Sequence, residues 1–302
     1  MLAAVIGIGS NSVRALLARN NEGVFERLYR DREGTRLFAG LDEGNRLREE
    51  SIRKTAEAVR RMAAAAREKG AGELSVFATS AARDAANGEE FLRAVEEAAG
   101  IAPAILSGEE EAALSFYGAS RAVKDGCFCG VIDIGGGSTE IVTGRGEEIA
   151  CAFSCQMGAV RLFRKIPIAR KEDMLPVEAE AGRILEEKLK EQGEFRRPEL
   201  WIGTGGTFTT MAAMVREIPW TARTHMHGTR VTMEEIRAVG EKLADMPLEE
   251  RIRLPGLQPG RADIVVHGIC ILLAVMERFG IETVTVSEWG NLDGFLWKKL
   301  MP

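Results

Sequence analysis

A glycine-rich stretch in the middle of the chain has the residue types best suited to phosphate chemistry. Within residues 130–142, two apolar runs flank the carboxylate of Asp133, three consecutive glycines, and the hydroxyl residues Ser138 and Thr139. Consecutive glycines leave backbone N–H groups uncovered, so a turn of this kind can direct several of them at one phosphate. Asp133 is suited to hold a hydrated divalent cation. The alternative is an ordinary hairpin whose glycines serve only the turn.

The N-terminus repeats this pattern. An apolar run leads into Gly7 and Gly9, and hydroxyl and amide side chains follow at positions 10–12. The two glycines also resemble a dinucleotide-binding fingerprint, but that fingerprint requires a helix directly after the loop. Here residues 13–18 are strand-like, and a polar turn and a second strand-like run follow. The pattern therefore predicts an antiparallel hairpin with a phosphate-binding loop.

An arginine and a glutamate are further candidates. The planar guanidinium of Arg83, which follows a buried strand-like run, would fit a phosphate, although an ion pair with Asp84 explains it equally well. Ser107 and Glu110 have the spacing of a capping box at a helix start. Glu111 can point from that first turn into a cleft, where it would be a candidate general base. Without the two glycine loops, Glu111 would be interpreted only as another acidic residue that stabilises the helix N-terminus.

A third strand-to-glycine segment ends at Gly205, Gly206 and Thr207, with a helix predicted behind it from residue 208. A helix N-terminus after glycines is typical of sites for anions and nucleotides. Close packing of the helix against the strand is the alternative.

The chain reads as two α/β halves. Each half opens with a strand, a glycine loop and a strand, and continues with alternating helices and strands. A chain of 302 residues is long enough for two domains. The predicted domains are 1–124 and 125–302, and a last helix, at about 290–302, is free to pack back on the first. We expect the two domains to face each other across a cleft with their glycine loops opposed.

Composition limits the class of function. The formal net charge of -5 argues against a nucleic-acid partner. No segment approaches the about 20 apolar residues of a membrane span, and the N-terminus does not read as a signal peptide, so a cytoplasmic protein is expected. The five cysteines are expected to be reduced, buried thiols on neighbouring strands, with a metal site as the alternative. His225 and His227 could form a metal pair or belong to a loop.

Taken together, the sequence motifs resemble those of the exopolyphosphatase and guanosine pentaphosphate phosphohydrolase (Ppx/GppA) family in its short form. The resemblance implies the two-domain actin-like ATPase fold, which is ribonuclease H-like, with an interdomain cleft. The motifs that carry it are residues 8–14, 78–85, 107–112, 132–140, 157–162, 203–207, 261–263 and 287–290, with Gly294.

The resemblance also implies roles for single residues. Glu111 looks like the general base for water, Arg83 like a phosphate ligand, and Asp133 with Glu140 like the ligands of Mg²⁺ or another divalent cation. Binding of phosphate and substrate falls to Gly9, Ser10, Asn11, Ser12, Arg14, Gly135, Gly136, Gly137, Ser138, Thr139, Gly205, Gly206 and Thr207.

Two positions depart from the family pattern. Gly7 stands where the family usually has an aspartate, and Leu292 replaces its usual arginine. The expected reaction is hydrolysis of a terminal phosphoanhydride bond of inorganic polyphosphate, of guanosine pentaphosphate, or of both, with release of orthophosphate. The expected binding partners are polyphosphate or guanosine penta/tetraphosphate. A weak or inactive sensor of the same fold, for which Gly7 argues, and a phosphotransferase remain alternatives. A homodimer also remains open.

Overall fold

The computed structural model describes residues 1–123, 126–193, 195–221 and 226–301. The chain divides into two compact units, one formed by Met1–Gly118 with Asn291–Pro302 and the other by Ala119–Gly290. The predicted boundary between residues 124 and 125 lies outside the described residues and stays a prediction. His225 lies outside them as well.

The first unit is built on a five-stranded sheet in the order β3-β2-β1-β4-β5. Its strands are β1 (Leu2–Ile8), β2 (Val13–Asn21), β3 (Val24–Glu33), β4 (Glu73–Ala78) and β5 (Ala104–Ile105). Its helices are α1 (Glu49–Glu68), α2 (Ser80–Arg83), α3 (Gly88–Ala99), α4 (Gly108–Ala119) and α11 (Asn291–Leu300).

The hairpin predicted at the N-terminus is present. β1 pairs antiparallel with β2, β2 pairs antiparallel with β3, and β4 runs parallel to β1. The parallel pair needs a long crossover, which α1 supplies by burying an apolar stripe that includes Ile52, Val59 and Met62. β1 is therefore the central strand, and the loop that follows it lies at the end of the sheet where β4 also ends.

The second unit is built on a six-stranded sheet in the order β10-β11-β9-β6-β7-β8. Its strands are β6 (Phe128–Ile134), β7 (Thr139–Arg145), β8 (Glu148–Cys155), β9 (Leu200–Thr204), β10 (Arg230–Thr232) and β11 (Thr283–Val286). Its helices are α5 (Ala159–Lys165), α6 (Met174–Glu191), α7 (Gly206–Val215), α8 (Met233–Ala244), α9 (Leu248–Arg251) and α10 (Val265–Phe279).

The repeated sequence pattern corresponds to a repeated structure. β6, β7, β8 and β9 pair with one another as β1, β2, β3 and β4 do. In each hairpin the loop is closed by the same backbone hydrogen bond, from Gly9 N to Ser12 O at 3.0 Å and from Gly135 N to Ser138 O at 2.9 Å. Both loops therefore take the same turn at equivalent places in the two sheets.

The terminal helix α11 belongs to the first unit and packs against β1 and β2. Its aromatic side chains fix this position, because Phe295 lies 5.7 Å from Phe77 and Trp297 lies 5.6 Å from Phe25 between ring centroids. The last residues of the chain thus cover the sheet that its first residues form.

Some sequence expectations need correction. α7 begins at Gly206 and not at residue 208. The region of β10 and α8 was not assigned from the sequence. The five cysteines are free thiols, but only Cys129, Cys155 and Cys270 are buried. Cys129 lies on β6, whereas Cys151 and Cys155 lie on β8, and β7 separates the two strands, so the expected neighbouring strands are wrong.

Burial has the physical effect expected for structural thiols. Desolvation raises the pKa of Cys129 and of Cys155 to about 12, so both stay protonated at neutral pH. Among the described residues, no three His, Cys, Asp or Glu side chains are grouped to hold a metal ion. No described helix has the length and apolar character needed to cross a membrane.

His267 is a buried histidine in the core of the second unit. It lies on α10, its Nε2 is 2.8 Å from the backbone oxygen of Ile166, and its ring meets Phe163 edge-on. Desolvation is the largest cause that lowers its pKa below the usual value, and nearby Arg251 acts in the same direction. His267 is therefore neutral in the folded protein at pH values where an exposed histidine takes up a proton.

This burial predicts a pH dependence of stability. Since the folded-state pKa is lowered, the unfolded chain binds the proton first, and the free energy of unfolding should fall as the pH drops below about 6.5. Replacing His267 with Phe should remove this dependence in denaturant titrations at a series of pH values. The exposed His227→Gln is the control and should keep it. An unchanged pH profile in His267→Phe would contradict the assignment.

Candidate functional site

The backbone of the second glycine loop (residues 135–138) is held from one side by α5. The carbonyl of Gly135 accepts from Ala159 N, and the carbonyl of Gly136 accepts from Val160 N and Arg161 N, all at 2.9–3.0 Å. The side chain of Arg161 donates to the third carbonyl, that of Gly137, at 2.7 Å. All three loop carbonyls therefore face α5.

This arrangement fixes where the N–H groups point. In a trans peptide the C=O and the N–H point in opposite directions, so the N–H groups of Gly136, Gly137 and Ser138 face away from α5. Among the described residues, none of these three groups donates a backbone hydrogen bond. Successive outward N–H groups form a concave binding site for anions. Ser138 is in a position to add a hydroxyl, whereas Thr139 donates its hydroxyl proton to Met157 O at 2.6 Å.

Two carboxylates lie next to this loop on one face of the sheet. Asp133 on β6 is the direct cross-strand neighbour of Glu140 on β7, and Thr204 on β9 is its neighbour on the other side. Glu140 is 1% exposed, and its Oε1 accepts from the hydroxyl of Ser154 on β8 at 2.8 Å. Cross-strand side chains share a face, so Thr204, Asp133, Glu140 and Ser154 form one polar row, the acidic row.

The third glycine loop approaches this row closely. Gly205 has φ +88°, and a Cβ there would lie 2.6 Å from Oδ1 of Asp133. A Cβ on Gly206 would meet the guanidinium of Arg261, which lies against the start of α7. Thr207 follows, buried under Gly268 of α10. The loop packs closely against its neighbours, which the packing alternative predicted, and it also lies next to Asp133. Arg261 lies in a motif of the family resemblance but was not assigned to the site.

The acidic row fits Mg²⁺. This cation usually binds through one or two carboxylates and completes its shell with waters and substrate phosphates. Asp133 and Glu140 are neighbouring hard oxygen donors, and Asp133 is 8% exposed beside the outward N–H groups of the loop. The residues that would hold the ion are therefore these two carboxylates.

The first glycine loop (residues 9–12) is held in the same way by a different segment. The carbonyls of Ser10 and Asn11 accept from Phe38 N at 2.9 Å and Arg36 N at 3.1 Å. The N–H groups of Asn11 and Ser12 consequently face the other side. Asn11 is buried, and its Oδ1 has no hydrogen-bond partner among the described residues.

The first loop is joined to α2 and α4, which supply the other candidate residues. Ser10 Oγ and Ser80 Oγ of α2 are 2.8 Å apart, and Arg83 ends the same short helix. Arg83 Nη1 donates to Leu106 O at 2.7 Å and lies 3.7 Å from Oε2 of Glu111, whose side chain is largely buried. Arg83 Nη2 is also buried and makes no hydrogen bond to any described residue.

The predicted capping box is present and does not include Glu111. Ser107 N donates to Glu110 at 2.7 Å, and Glu110 N donates to Ser107 Oγ at 3.1 Å, so the cap uses Glu110. Glu111 lies one position further round the helix and turns towards Arg83. Arg14 makes a different contact, because its Nη2 donates to Asn291 Oδ1 at 3.0 Å.

The structure thus brings the predicted site residues into two groups. Residues 9–12, Arg83 and Glu111 lie together in the first unit, and residues 133–140 and 205–207 lie together in the second. That both groups act on one phosphate stays a prediction.

Comparisons with known proteins agree with one family. The sequence profile of the Ppx/GppA phosphatase family matches residues 16–301. Exopolyphosphatase 2 of Mycobacterium tuberculosis is 33% identical over 308 residues, which cover 96% of each protein. A solved exopolyphosphatase-like protein superposes with a TM-score of 0.91 at 29% identity over 99% of each chain. The Aquifex aeolicus PPX-GPPA enzyme superposes with a TM-score of 0.83 at 28% identity, over 99% of each chain. The predicted actin-like ATPase fold is confirmed by these likenesses.

The close approach of Gly205 to Asp133 predicts the effect of adding one methyl group. Gly205→Ala should lower the free energy of unfolding by about 3 kcal/mol, because its backbone conformation is nearly restricted to glycine and the Cβ would collide with the carboxylate. Gly146→Ala is the matched control, with φ +61° and open space around it, and should cost about 1 kcal/mol. Urea denaturation of both variants measures the difference, and equal losses would contradict the predicted contact.

Proposed function

Because this chain belongs to the Ppx/GppA phosphatase family, we propose that it hydrolyses a terminal phosphoanhydride bond of inorganic polyphosphate, of guanosine pentaphosphate, or of both, and releases orthophosphate. One observation carries the proposal. A buried carboxylate, Glu111, lies 3.7 Å from the guanidinium of Arg83, on helices joined to a loop with outward N–H groups. These are the parts that attack of water on a phosphate requires.

Phosphate binding comes from groups with fixed positions. Arg83 is held by Leu106 O through Nη1, and its buried Nη2, which has no hydrogen-bond partner among the described residues, would donate to a phosphate oxygen. The N–H groups of Asn11 and Ser12 would bind further phosphate oxygens in the first unit, and those of Gly136, Gly137 and Ser138 would form an anion-binding site in the second unit. Charge-assisted hydrogen bonds of this kind stabilise the charge of the transition state without rearrangement of the site.

Glu111 would accept the proton of the attacking water and orient it in line with the leaving oxygen. Its position in the first turn of α4 fixes the carboxylate while Glu110 satisfies the helix end. Bound Mg²⁺ would supply charge neutralisation on the phosphate chain, and Asp133 and Glu140 would hold it. Residue 7 is a glycine, so this position would contribute no carboxylate to the ion.

Two alternatives within the same fold have specific support. A sensor that binds a phosphorylated nucleotide without hydrolysis is favoured by Gly7, since a carboxylate there would help to place the metal or its water. A phosphotransferase would use the same phosphate site with a small-molecule acceptor in place of water. We place the protein in the cytoplasm, in keeping with its five free thiols, and a homodimer stays a prediction.

The role of Glu111 can be tested against its neighbour. Glu111→Gln should lower phosphate release by about a hundredfold or more, because the variant cannot accept the proton of water. Glu110→Gln is the control, since glutamine also completes a capping box, and it should stay within about twofold of the wild type. The assay is colorimetric phosphate release at saturating substrate. Equal losses in the two variants would contradict the assignment.

The reaction class is decided by the products. With Mg²⁺ titrated from zero, the wild type should release orthophosphate from polyphosphate or from guanosine pentaphosphate, and chelation should abolish the release. If both substrates bind but neither yields phosphate at any Mg²⁺ concentration, the sensor is correct. If phosphate appears on an added acceptor in place of the free ion, the protein is a phosphotransferase.

A further inference from the structure

Gly294 belongs to the sequence motifs but has no part in the reaction described above. It is buried at the fourth position of α11. A Cβ on Gly294 would lie 2.0 Å from the backbone oxygen of Leu114 and 2.9 Å from the backbone nitrogen of Gly118, both on α4. The backbone of α11 therefore approaches α4 at a distance that only a residue without a side chain permits.

This contact lies on the face of α4 that carries Glu111. Successive residues of an α-helix are turned by about 100°, so Glu111, Leu114 and Gly118 lie within about 60° of one another around the axis. The carboxylate of Glu111 is largely buried, and its Oε2 lies 3.7 Å from Nη1 of Arg83. Because α4 has only 12 residues, its hydrogen-bonded backbone carries a displacement at Leu114 to the turn that holds Glu111.

The sheet of the first unit holds α11 in place. In the first turn of α11, Asn291 Oδ1 accepts from Arg14 Nη2 at 3.0 Å, and Asp293 Oδ1 accepts from Arg27 Nη1 at 3.2 Å. The aromatic side chains in the second half of α11 pack against β3 and β4. These contacts make α11 a fixed support, against which α4 is placed.

A side chain at position 294 could not avoid α4 by changing its rotamer. The atoms that its Cβ would meet belong to the backbone, so one helix would have to shift by about 1 Å to restore normal contact distances. Since α11 is tied to three strands, we expect α4 to move. Lys298 of α11, whose Nζ lies 4.3 Å from the ring centroid of Tyr117, would keep the other end of α4 near α11.

From these contacts we propose that Gly294 is a positioning residue for Glu111. Its missing side chain lets α4 lie close to α11, and this placement holds the carboxylate of Glu111 beside Arg83. The inference rests on the proposed function, since it takes Glu111 as the group that accepts the proton of water. A misplacement of about 1 Å can lower the rate of an enzyme by about a hundredfold, even when the substituted residue is far from the reacting atoms.

The first test compares kcat with KM. Gly294→Ala should lower kcat for phosphate release by about tenfold or more, because the carboxylate no longer orients the water. KM should stay within about twofold, because Arg83 and residues 9–12, which would bind the phosphate, lie outside α4 and α11. The substrate is whichever of polyphosphate and guanosine pentaphosphate the wild type hydrolyses. A wild-type kcat in Gly294→Ala would overturn the inference.

A double-mutant cycle separates positioning from a general loss of stability. In the Glu111→Gln background, Gly294→Ala should lower kcat by less than about twofold, because the carboxylate that it displaces is already absent. A variant that only lowers the amount of folded protein would give the same loss in both backgrounds. Equal losses would therefore show that Gly294 is purely structural.

Two other helical glycines serve as matched controls. Gly182→Ala on α6 adds a Cβ with no atom within 4 Å and should leave kcat unchanged. Gly240→Ala on α8 adds a Cβ 2.8 Å from Cγ2 of Ile269, so it should lower stability and keep the kcat of the folded protein. Thermal unfolding verifies that each variant is folded. If Gly294→Ala is not, its kcat is measured in trimethylamine N-oxide, which favours the folded chain, and a wild-type value there would refute the proposal.

Hydrogen exchange separates this inference from the proposed function. If the wild type hydrolyses neither substrate, the hydrolase proposal fails, and the amides of residues 107–116 decide the inference by mass spectrometry. They should exchange faster in Gly294→Ala than in the wild type, because the first turns of α4 lose their support, and at the wild-type rate in Gly240→Ala. Unchanged exchange in Gly294→Ala would show that α4 does not depend on Gly294.

Discussion

The structure depends on how the carbonyl groups of two glycine loops are satisfied. In the second loop α5 binds three carbonyls in succession, and in the first loop the segment around Phe38 binds two. A backbone polar group without a partner is costly when buried, so these hydrogen bonds stabilise the fold. They also decide the chemistry, because each tied carbonyl turns the N–H of the same peptide to the opposite side. The outward direction of the N–H groups of both loops is thus a consequence of the packing behind them.

The two units use one architecture for opposite charges. Equivalent strands place Asp133 and Glu140 in one sheet and Gly7 and Arg14 in the other, in the same register. Carboxylates suit a hard cation, and arginines suit phosphate oxygens.

The two departures from the family pattern, Gly7 and Leu292, are in contact with each other. Leu292 of α11 fills the space above Gly7, and the ring of Phe77 closes it from the side. A carboxylate at position 7 would therefore be buried against apolar groups and would lower stability unless residue 292 changed with it. The two positions are unconnected in the sequence, because nothing in the linear order shows that α11 lies over β1.

The motifs and many of the helices and strands could be predicted from the sequence. Apolar runs predicted the N-terminal hairpin and the strand before Arg83, and the spacing of Ser107 and Glu110 predicted a capping box that the structure confirms. Such features are local, so neighbouring residues suffice to set them. Three features could be seen only in the tertiary structure. They are the direction of the loop N–H groups, the close approach of Gly205 to Asp133, and the position of Arg14 opposite Arg32 on the neighbouring strand. These depend on strand register and on contacts between residues far apart in the chain, which residue types do not specify.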